Sequence, residues 1–217
     1  MTFSLNEIEA MGKRAARGAG LSWGLAEEAG KAARWLAAHA LPGPEELAEN
    51  LTGNDGRSHD ELAPVSVDGV WRARSGRLSP LVCGAALCDL AAEIATGREI
   101  ELAALAQPLL LAPYAAGVAK MTDAAVELSW PGVVMTFTSE GVSIEGDHAS
   151  LMARSADGVH CRRMETAVLA ASADAASGRA VDARTWNRLN ELAQRTFAPA
   201  TEASRLAGAG AGLTDND

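Results

Sequence analysis

A group of charged side chains and one tryptophan surrounds a predicted turn near the start of the chain. Arg17, Trp23 and Glu27 are its central members, with Arg14 and Lys31 beside them. A guanidinium can hold a carboxylate through two parallel hydrogen bonds, an indole can stack on a planar ligand, and a carboxylate can orient that ligand. The group therefore predicts a binding site for a small acidic metabolite or for a partner enzyme.

The same residues are also typical of a solvated rim on a helical hairpin. Glu27 and Lys31 are four residues apart, the spacing of an ordinary helix ion pair worth about 0.2–0.5 kcal/mol. Trp23 would then cover the turn without binding a ligand. The residues alone leave both interpretations open.

The C-terminal stretch, residues 199–217, is the second unusual segment. Thr201, Ser204 and Arg205 precede a run in which glycine and alanine alternate. A frayed terminus is one interpretation. In the other, the tail packs near the hairpin turn with Arg205 close to Glu27 or Glu28, because glycines allow close backbone approach. The second interpretation predicts one cleft lined by Arg17, Trp23, Glu27, Thr201, Ser204 and Arg205.

Other kinds of chemistry find little support in the spacing of the reactive residues. Cys83 and Cys88 are five apart on a predicted helix and do not share a face. His160 and Cys161 are adjacent on a predicted strand and point to opposite faces. No Gly-x-Ser-x-Gly nucleophile motif is present. The sequence therefore predicts no metal and no cofactor, and it assigns no catalytic residue.

Charge and composition exclude several classes of protein. A net charge of −9 over 217 residues argues against a nucleic-acid-binding protein, which needs surplus lysine and arginine. The uncharged run 102–119 contains two prolines and barely reaches bilayer length, so it predicts buried core and no membrane association. Three cysteines without paired spacing favour a reducing, cytoplasmic location. Arginine outnumbers lysine 16 to 3, which is typical of a GC-rich bacterial source.

The elements that position the turn are predicted from helix-start and helix-stop signals. Ser4 and Glu7 form a capping box, and an apolar stripe follows at helical spacing. Gly20 is the expected left-handed C-cap, and Ser22 can cap a second helix that runs to about His39. Small residues on the second helix predict a closely packed seam (Ala26, Ala29, Gly30, Ala33 and Ala37).

The middle of the chain reads as short helices and strands. Residues 44–51 predict a helix, and the polar stretch 52–64 predicts a surface loop that separates a hairpin subdomain (1–51) from an α+β body (65–217). Residues 65–67 and 70–74 predict a small strand hairpin around Asp68-Gly69. Ser79 and Pro80 have the order of an N-cap followed by a first-turn proline.

The second half predicts a sheet followed by helices. Strand-like runs at 125–130, 133–138, 142–144 and 159–164 are joined by tight turns, which favours antiparallel pairing. Residues 165–176 predict a helix, and Asp182 caps another. The expected fold class is α+β, with an N-terminal helical hairpin, a mainly antiparallel sheet in the middle and C-terminal helices.

A resemblance to a known family rests on the two unusual ends. Residues 4–36 (SLNEIEAMGKRAARGAGLSWGLAEEAGKAARWL) and 195–217 (RTFAPATEASRLAGAGAGLTDND) resemble the two ends of an uncharacterised bacterial family labelled as a domain of unknown function. The resemblance extends over the whole chain, with a less distinctive middle. It implies a real functional unit, and it implies no activity, cofactor or catalytic residue.

Two functions follow from these observations. The first is an accessory protein that binds a small acidic metabolite or a partner enzyme. The second is a small-molecule enzyme that acts on a carboxylate-containing metabolite, with a site between the turn and the tail. A hydrophobic content of 48% and the run 102–119 also predict a homodimer, since symmetric dimers are the commonest oligomers.

Overall fold

A computed structural model describes residues 1–165 and 176–197 of the chain. The helices are α1 (Leu5–Gly18), α2 (Trp23–Ala38), α3 (Gly43–Gly53), α4 (His59–Leu62), α5 (Pro80–Asp89), α6 (Ala91–Ala95), α7 (Ala112–Thr122), α8 (His148–Leu151) and α9 (Ala183–Gln194), with a 3-10 turn at Pro108–Leu111. The strands are β1 (Thr2–Ser4), β2 (Ile100–Leu102), β3 (Leu105–Ala106), β4 (Val126–Trp130), β5 (Val133–Phe137), β6 (Val142–Gly146), β7 (Ser155–Ala156), β8 (Val159–Arg163) and β9 (Gly178–Ala180).

Helices α1 and α2 form the predicted hairpin, and its local signals are confirmed. The Ser4 hydroxyl accepts from the Glu7 N–H at 3.3 Å, while the Ser4 N–H donates to the Glu7 carboxylate at 2.8 Å. Gly20 has a φ of +96°, so a residue without a Cβ suits the turn that ends α1. Ser22 caps α2 by accepting from the Leu25 N–H. These bonds satisfy donors that helix ends leave open.

The seam between α1 and α2 is made of small residues, as predicted. The five small residues of α2 are buried against α1 (Ala26, Ala29, Gly30, Ala33 and Ala37). A Cβ placed on Gly12 would lie 3.1 Å from the Gly30 Cα. The two helix backbones therefore meet so closely that larger side chains would force them apart.

Five strands of the described chain form one antiparallel sheet in the order β2-β8-β4-β5-β6. In register, Leu128 of β4 lies between Met135 of β5 and Cys161 of β8. One face of the sheet is apolar and buried (Val126, Leu128, Trp130, Val133, Met135, Phe137, Val159 and Cys161). Helices α6 and α7 pack on the strands of this sheet. Two smaller pairs, β1 with β9 and β3 with β7, are also antiparallel.

The uncharged run 102–119 is core, as its composition predicts. It contains β3, the 3-10 turn and most of α7, and most of its side chains are fully buried. Among the helices of the described residues, none combines the length and the apolar character needed to cross a membrane.

The strand hairpin predicted at 65–67 and 70–74 is reduced to one antiparallel bridge, between Pro64 and Ala73, beside which the Val65 N–H donates to the Arg72 carbonyl at 2.9 Å. Trp71 also makes a parallel bridge to Leu102 and donates its N–H to the Glu101 carbonyl at 2.8 Å. The whole Trp71 side chain is buried in the core beneath the sheet edge. The buried indole N–H donates to the Val67 carbonyl at 3.0 Å across Asp68-Gly69, so the chain turns there as predicted, while its pairing stops at a single bridge.

Helix α9 packs against α1 of the hairpin and against α3, and ion pairs join it to α3 and to the turn that follows α3. Arg188 donates a hydrogen bond to the Glu49 carboxylate at 2.6 Å. Arg195 donates two hydrogen bonds, one to each carboxylate oxygen of Asp55, at 2.7 and 2.9 Å. Asp182 caps α9, as predicted. The helix predicted at 165–176 lies almost entirely outside the described residues. The α+β class with an N-terminal hairpin and antiparallel sheet is confirmed, while the division into two units at residues 52–64 stays a prediction.

Candidate functional site

The predicted site residues Arg17, Trp23 and Glu27 lie together on the outer surface of the hairpin. The Arg17 guanidinium carbon is 4.5 Å from the centre of the Trp23 ring, and Arg17 also donates to the Leu21 carbonyl. Lys13 forms an ion pair with Glu27 and lies 6.0 Å from the centre of the same ring. The three residues therefore form a real cluster, which we call the surface cluster.

Within the surface cluster the charges already have partners. The hydrogen bond from Lys13, followed by its positive charge, holds the pKa of the Glu27 carboxyl below its ordinary value. Arg17 covers one face of the indole, a contact worth about 0.5–1 kcal/mol at an exposed site. Trp23 nevertheless remains 66% exposed. This geometry fits the interpretation of Trp23 as a cover over the turn.

The remaining predicted site residues, Thr201, Ser204 and Arg205, lie outside the described residues. Their approach to the hairpin turn stays a prediction. The described chain ends at Phe197, three residues after α9. The later half of α9 touches the end of α1, because a Cβ on Gly18 would lie 1.7 Å from the Leu192 carbonyl oxygen.

A cavity that the sequence did not predict lies on the inner side of the turn. It has a volume of about 300 Å³ and opens between the α1–α2 turn, the end of α3, α4 and the start of α5. We call it the bend cleft. Its apolar wall consists of Leu21, Leu25, Leu51, Leu62 and Val82. Its polar lining consists of Ser22, Asn50, Asn54, Arg57, His59 and Ser79.

The floor of the bend cleft is fixed by a chain of amide hydrogen bonds. Asn50 is 2% exposed, and its amide N–H donates to the Gln107 side-chain oxygen at 3.1 Å. Asn54 donates in turn to the Asn50 oxygen at 3.4 Å. Gln107 has a φ of +34°, which is uncommon for a residue with a Cβ. A buried network of this kind orders the polar groups that face the cavity.

Ser79 lies at the other side of the cleft, where α5 begins. Ser79 is at the N-cap position of this helix with Pro80 in the first turn, as predicted, but its side chain makes no capping bond. Ser79 is 3% exposed and lines the cleft. Its backbone N–H donates to the Leu62 carbonyl at 3.1 Å, which joins the start of α5 to α4.

Sequence reasoning missed the bend cleft because its lining comes from separate elements. The polar composition of residues 52–64 predicted a surface loop. In the structure, Arg57, His59 and Leu62 from this stretch line the cavity. One signal was available locally. Ser58 and Glu61 have capping-box spacing, and both bonds of that box form at the start of α4.

The free cysteines are poorly suited to nucleophilic chemistry. Burial raises the pKa of Cys88 to about 11 and that of Cys161 to about 12, and it raises the pKa of Cys83 further. The thiolate, which is the reactive form, is therefore scarce near neutral pH. Among the described residues, no group of three or more His, Cys, Asp or Glu side chains is placed to hold a metal ion.

Comparison with known proteins confirms the resemblance over the first part of the chain. The family described as a protein of unknown function (DUF3726) matches residues 3–79. No curated protein and no solved structure matches the chain. Every residue that lines the bend cleft, apart from Val82, falls within the matched segment.

Proposed function

We propose that this protein is a cytoplasmic accessory protein that binds a small metabolite in the bend cleft. The observation that carries the proposal is the cleft itself, which joins an apolar wall to a convergent polar lining. Ligand cavities in proteins combine such walls with a few polar groups that fix orientation, and their volumes begin near 300 Å³. A cavity of about 300 Å³ therefore fits a ligand of modest size.

The placement of the cleft supports a binding role. Most of its lining lies in the segment that matches a protein family, so the cavity belongs to the part of the chain shared with other proteins. The buried Asn50–Gln107 bond and the Asn54–Asn50 bond hold the polar groups of the floor in one arrangement. A pre-organised floor lowers the ordering cost of binding.

We further propose that the tail closes the outer side of this region. In this arrangement Thr201, Ser204 and Arg205 approach the turn between Arg17 and Trp23. The support is the course of α9, whose later half touches Gly18 at the end of α1. The bend cleft on the inner side of the turn and the surface cluster on the outer side would then share one wall.

The enzymatic alternative rests on fewer observations. The described residues supply no low-pKa thiol and no metal cluster that would drive a reaction at the cleft. Ser79 and His59 both line the cavity, and no hydrogen bond joins them among the described residues. A nucleophile and its base are normally within hydrogen-bond reach of each other. Binding is therefore the function that this geometry supports best.

Filling the cavity tests the proposal. Leu25→Trp would place an indole in the bend cleft, because Leu25 is half-buried and lines it. Val134→Trp is the matched control, since Val134 is 38% exposed on the sheet, away from the cleft. The wild type and both variants are purified from the native host. The small molecules that each protein retains are then extracted and identified by mass spectrometry.

The expected result is a small molecule bound in stoichiometric amount to the wild type and to Val134→Trp and missing from Leu25→Trp. If all three proteins retain the small molecule equally, its binding site is not the bend cleft and the proposal is wrong. Circular dichroism and thermal unfolding of both variants would confirm that each one is folded.

A further inference from the structure

The start of α5 is a buried helix end whose first N–H groups have no hydrogen-bond partner among the described residues. The first bond within α5 runs from the Cys83 N–H to the Ser79 carbonyl at 3.0 Å. The N–H groups of Leu81 and Val82 come before that bond and have no partner within the helix. Both residues are buried, at 1% and 8% exposure, so water reaches them poorly.

Ser79 adds an independent observation at the same place. Its side chain is almost completely buried, and its hydroxyl does not cap the helix that it precedes. The hydroxyl has no hydrogen-bond partner among the described residues, and Ser79 lines the bend cleft. The hydroxyl is therefore available to donate a hydrogen bond to a ligand atom in the cleft.

The charges around the cleft are consistent with these donors. Arg57 and His59 line the cavity, and no carboxylate does so among the described residues. Arg57 forms no ion pair within the part of the chain that the structure describes. This arrangement is notable in a protein with a net charge of −9. The start of α5, which is the positive end of its dipole, lines the same cavity through Ser79 and Val82.

We infer that the bend cleft binds a carboxylate, with its oxygens at the start of α5. The Ser79 hydroxyl and the Val82 N–H, which both line the cleft, donate to the carboxylate, and Arg57 neutralises its charge from the cleft rim. The apolar part of the ligand lies against Leu25 and Leu51. This inference rests on the proposed binding function and adds to it the chemical class of the ligand.

The inference distinguishes this site from the surface cluster. In the surface cluster, Arg17 already donates to the Leu21 carbonyl and stacks on Trp23, so its guanidinium is engaged. In the bend cleft, the Ser79 hydroxyl and the Val82 N–H have no hydrogen-bond partner within the described ranges of the chain. Hydrogen bonds to a charged group are stronger when water is excluded. A carboxylate is therefore held at α5, and Arg17 contributes little to its affinity.

The test compares two probes of the same shape, hexanoate and hexanamide. Each is titrated into ¹⁵N-labelled full-length protein, and the backbone amide shifts are followed by NMR. Hexanoate should shift the Leu81 and Val82 signals and bind about tenfold more tightly than hexanamide, since charge-assisted hydrogen bonds exceed neutral ones by this order. The variants Arg57→Gln and Ser79→Ala should each remove most of this preference.

Arg163→Gln is the control, because Arg163 is exposed on β8 in the sheet, outside the cleft. It should keep the full preference for hexanoate. Equal affinity for the two probes would overturn the carboxylate inference and leave small-molecule binding intact. Binding of neither probe at millimolar concentration would overturn both. A preference that survives in Arg57→Gln and Ser79→Ala would place the carboxylate at another site and overturn the inference.

Discussion

Gly18 and Leu192 bring the end of α1 and the later half of α9 into direct backbone contact. A Cβ placed on Gly18 would lie 1.7 Å from the Leu192 carbonyl oxygen, which is far too close for two non-bonded atoms. This crossing fixes where the chain leaves α9 relative to the hairpin turn. Of the described glycines, Gly18 has the shortest such distance, so packing against α9 excludes a side chain there.

We expect Gly18→Ala to destabilise the protein by about 2–3 kcal/mol, because α9 must move away from α1 to admit the methyl group. Urea unfolding followed by circular dichroism measures the change. Gly24→Ala is the matched control, since a Cβ on Gly24 meets nothing within 4 Å near the start of α2. That variant should be neutral or more stable by about 0.5 kcal/mol. Equal changes in the free energy of unfolding for the two variants would contradict the close packing of α9 against Gly18.

Glu46 gives the protein a predicted pH dependence. Burial, with smaller contributions from the charges of Glu45 and Glu49, raises the pKa of Glu46 from 4.5 to about 7. The folded protein therefore holds this proton to a higher pH than the unfolded chain does. Stability from this group is complete below about pH 4.5 and is lost as the pH rises towards 7.

Glu46→Gln removes the ionisation and keeps the shape of the side chain. The variant should be more stable than the wild type by about 1–3 kcal/mol at pH 8 and should show little gain at pH 5. Urea unfolding at both pH values measures the difference. Glu140→Gln, at an exposed position in the turn before β6, should show no such pH-dependent gain. A gain of equal size at both pH values would rule out ionisation as its cause.

The hairpin and the sheet could be predicted because their signals are local. The Ser4–Glu7 capping box, the Gly20 turn and the Ser22 cap each involve residues within three or four positions. The strands β4 and β5 are joined by Pro131-Gly132, which a short window also contains. Where propensity, pattern and turn residues agree, local reasoning is sufficient.

The bend cleft could not be predicted because contacts between distant residues create it. Asn50 and Gln107 are 57 positions apart, and no short motif links them. Ser79 is at the N-cap position that its local sequence predicts, yet its side chain makes no capping bond and lines a cavity formed with residues from other elements. Trp71 shows the same effect, since its parallel bridge to Leu102 joins residues that are distant in the chain, whereas the antiparallel bridge between Pro64 and Ala73 follows the local turn signal.

The predicted homodimer now has a specific surface to test. Strand β6 is at one edge of the five-stranded sheet, and Ile144 on it is 37% exposed. We expect light scattering at high concentration to give twice the chain mass of 22.4 kDa. Ile144→Lys should return the protein to a monomer, because a lysine on an edge strand opposes strand pairing. Met121→Lys, at a 59% exposed position on α7, should remain dimeric.

The last prediction is that the tail lies beside the hairpin turn. Arg205 is eight residues beyond Phe197, so a fully extended chain places it within roughly 28 Å of the end of the described structure. The Gly18–Leu192 contact brings α9 to the end of α1, and Trp23 begins α2 immediately after the turn. The glycines at 208, 210 and 212 would permit close backbone approach to the hairpin. We therefore expect Arg205 and Trp23 to lie within about 20 Å of each other, a span that long side chains can bridge.

A nitroxide label on Arg205→Cys tests this arrangement. Burial raises the pKa of Cys88 to about 11 and that of Cys161 to about 12, so these native thiols react slowly near neutral pH. The label therefore attaches mainly to the cysteine introduced at position 205. The Trp23 indole signal in a ¹⁵N spectrum should broaden strongly. The same label on Glu140→Cys, in the turn before β6, should leave that signal sharp. A sharp Trp23 signal with the label at position 205 would show that the tail lies away from the turn, and Thr201 and Ser204 would then have no part in the site.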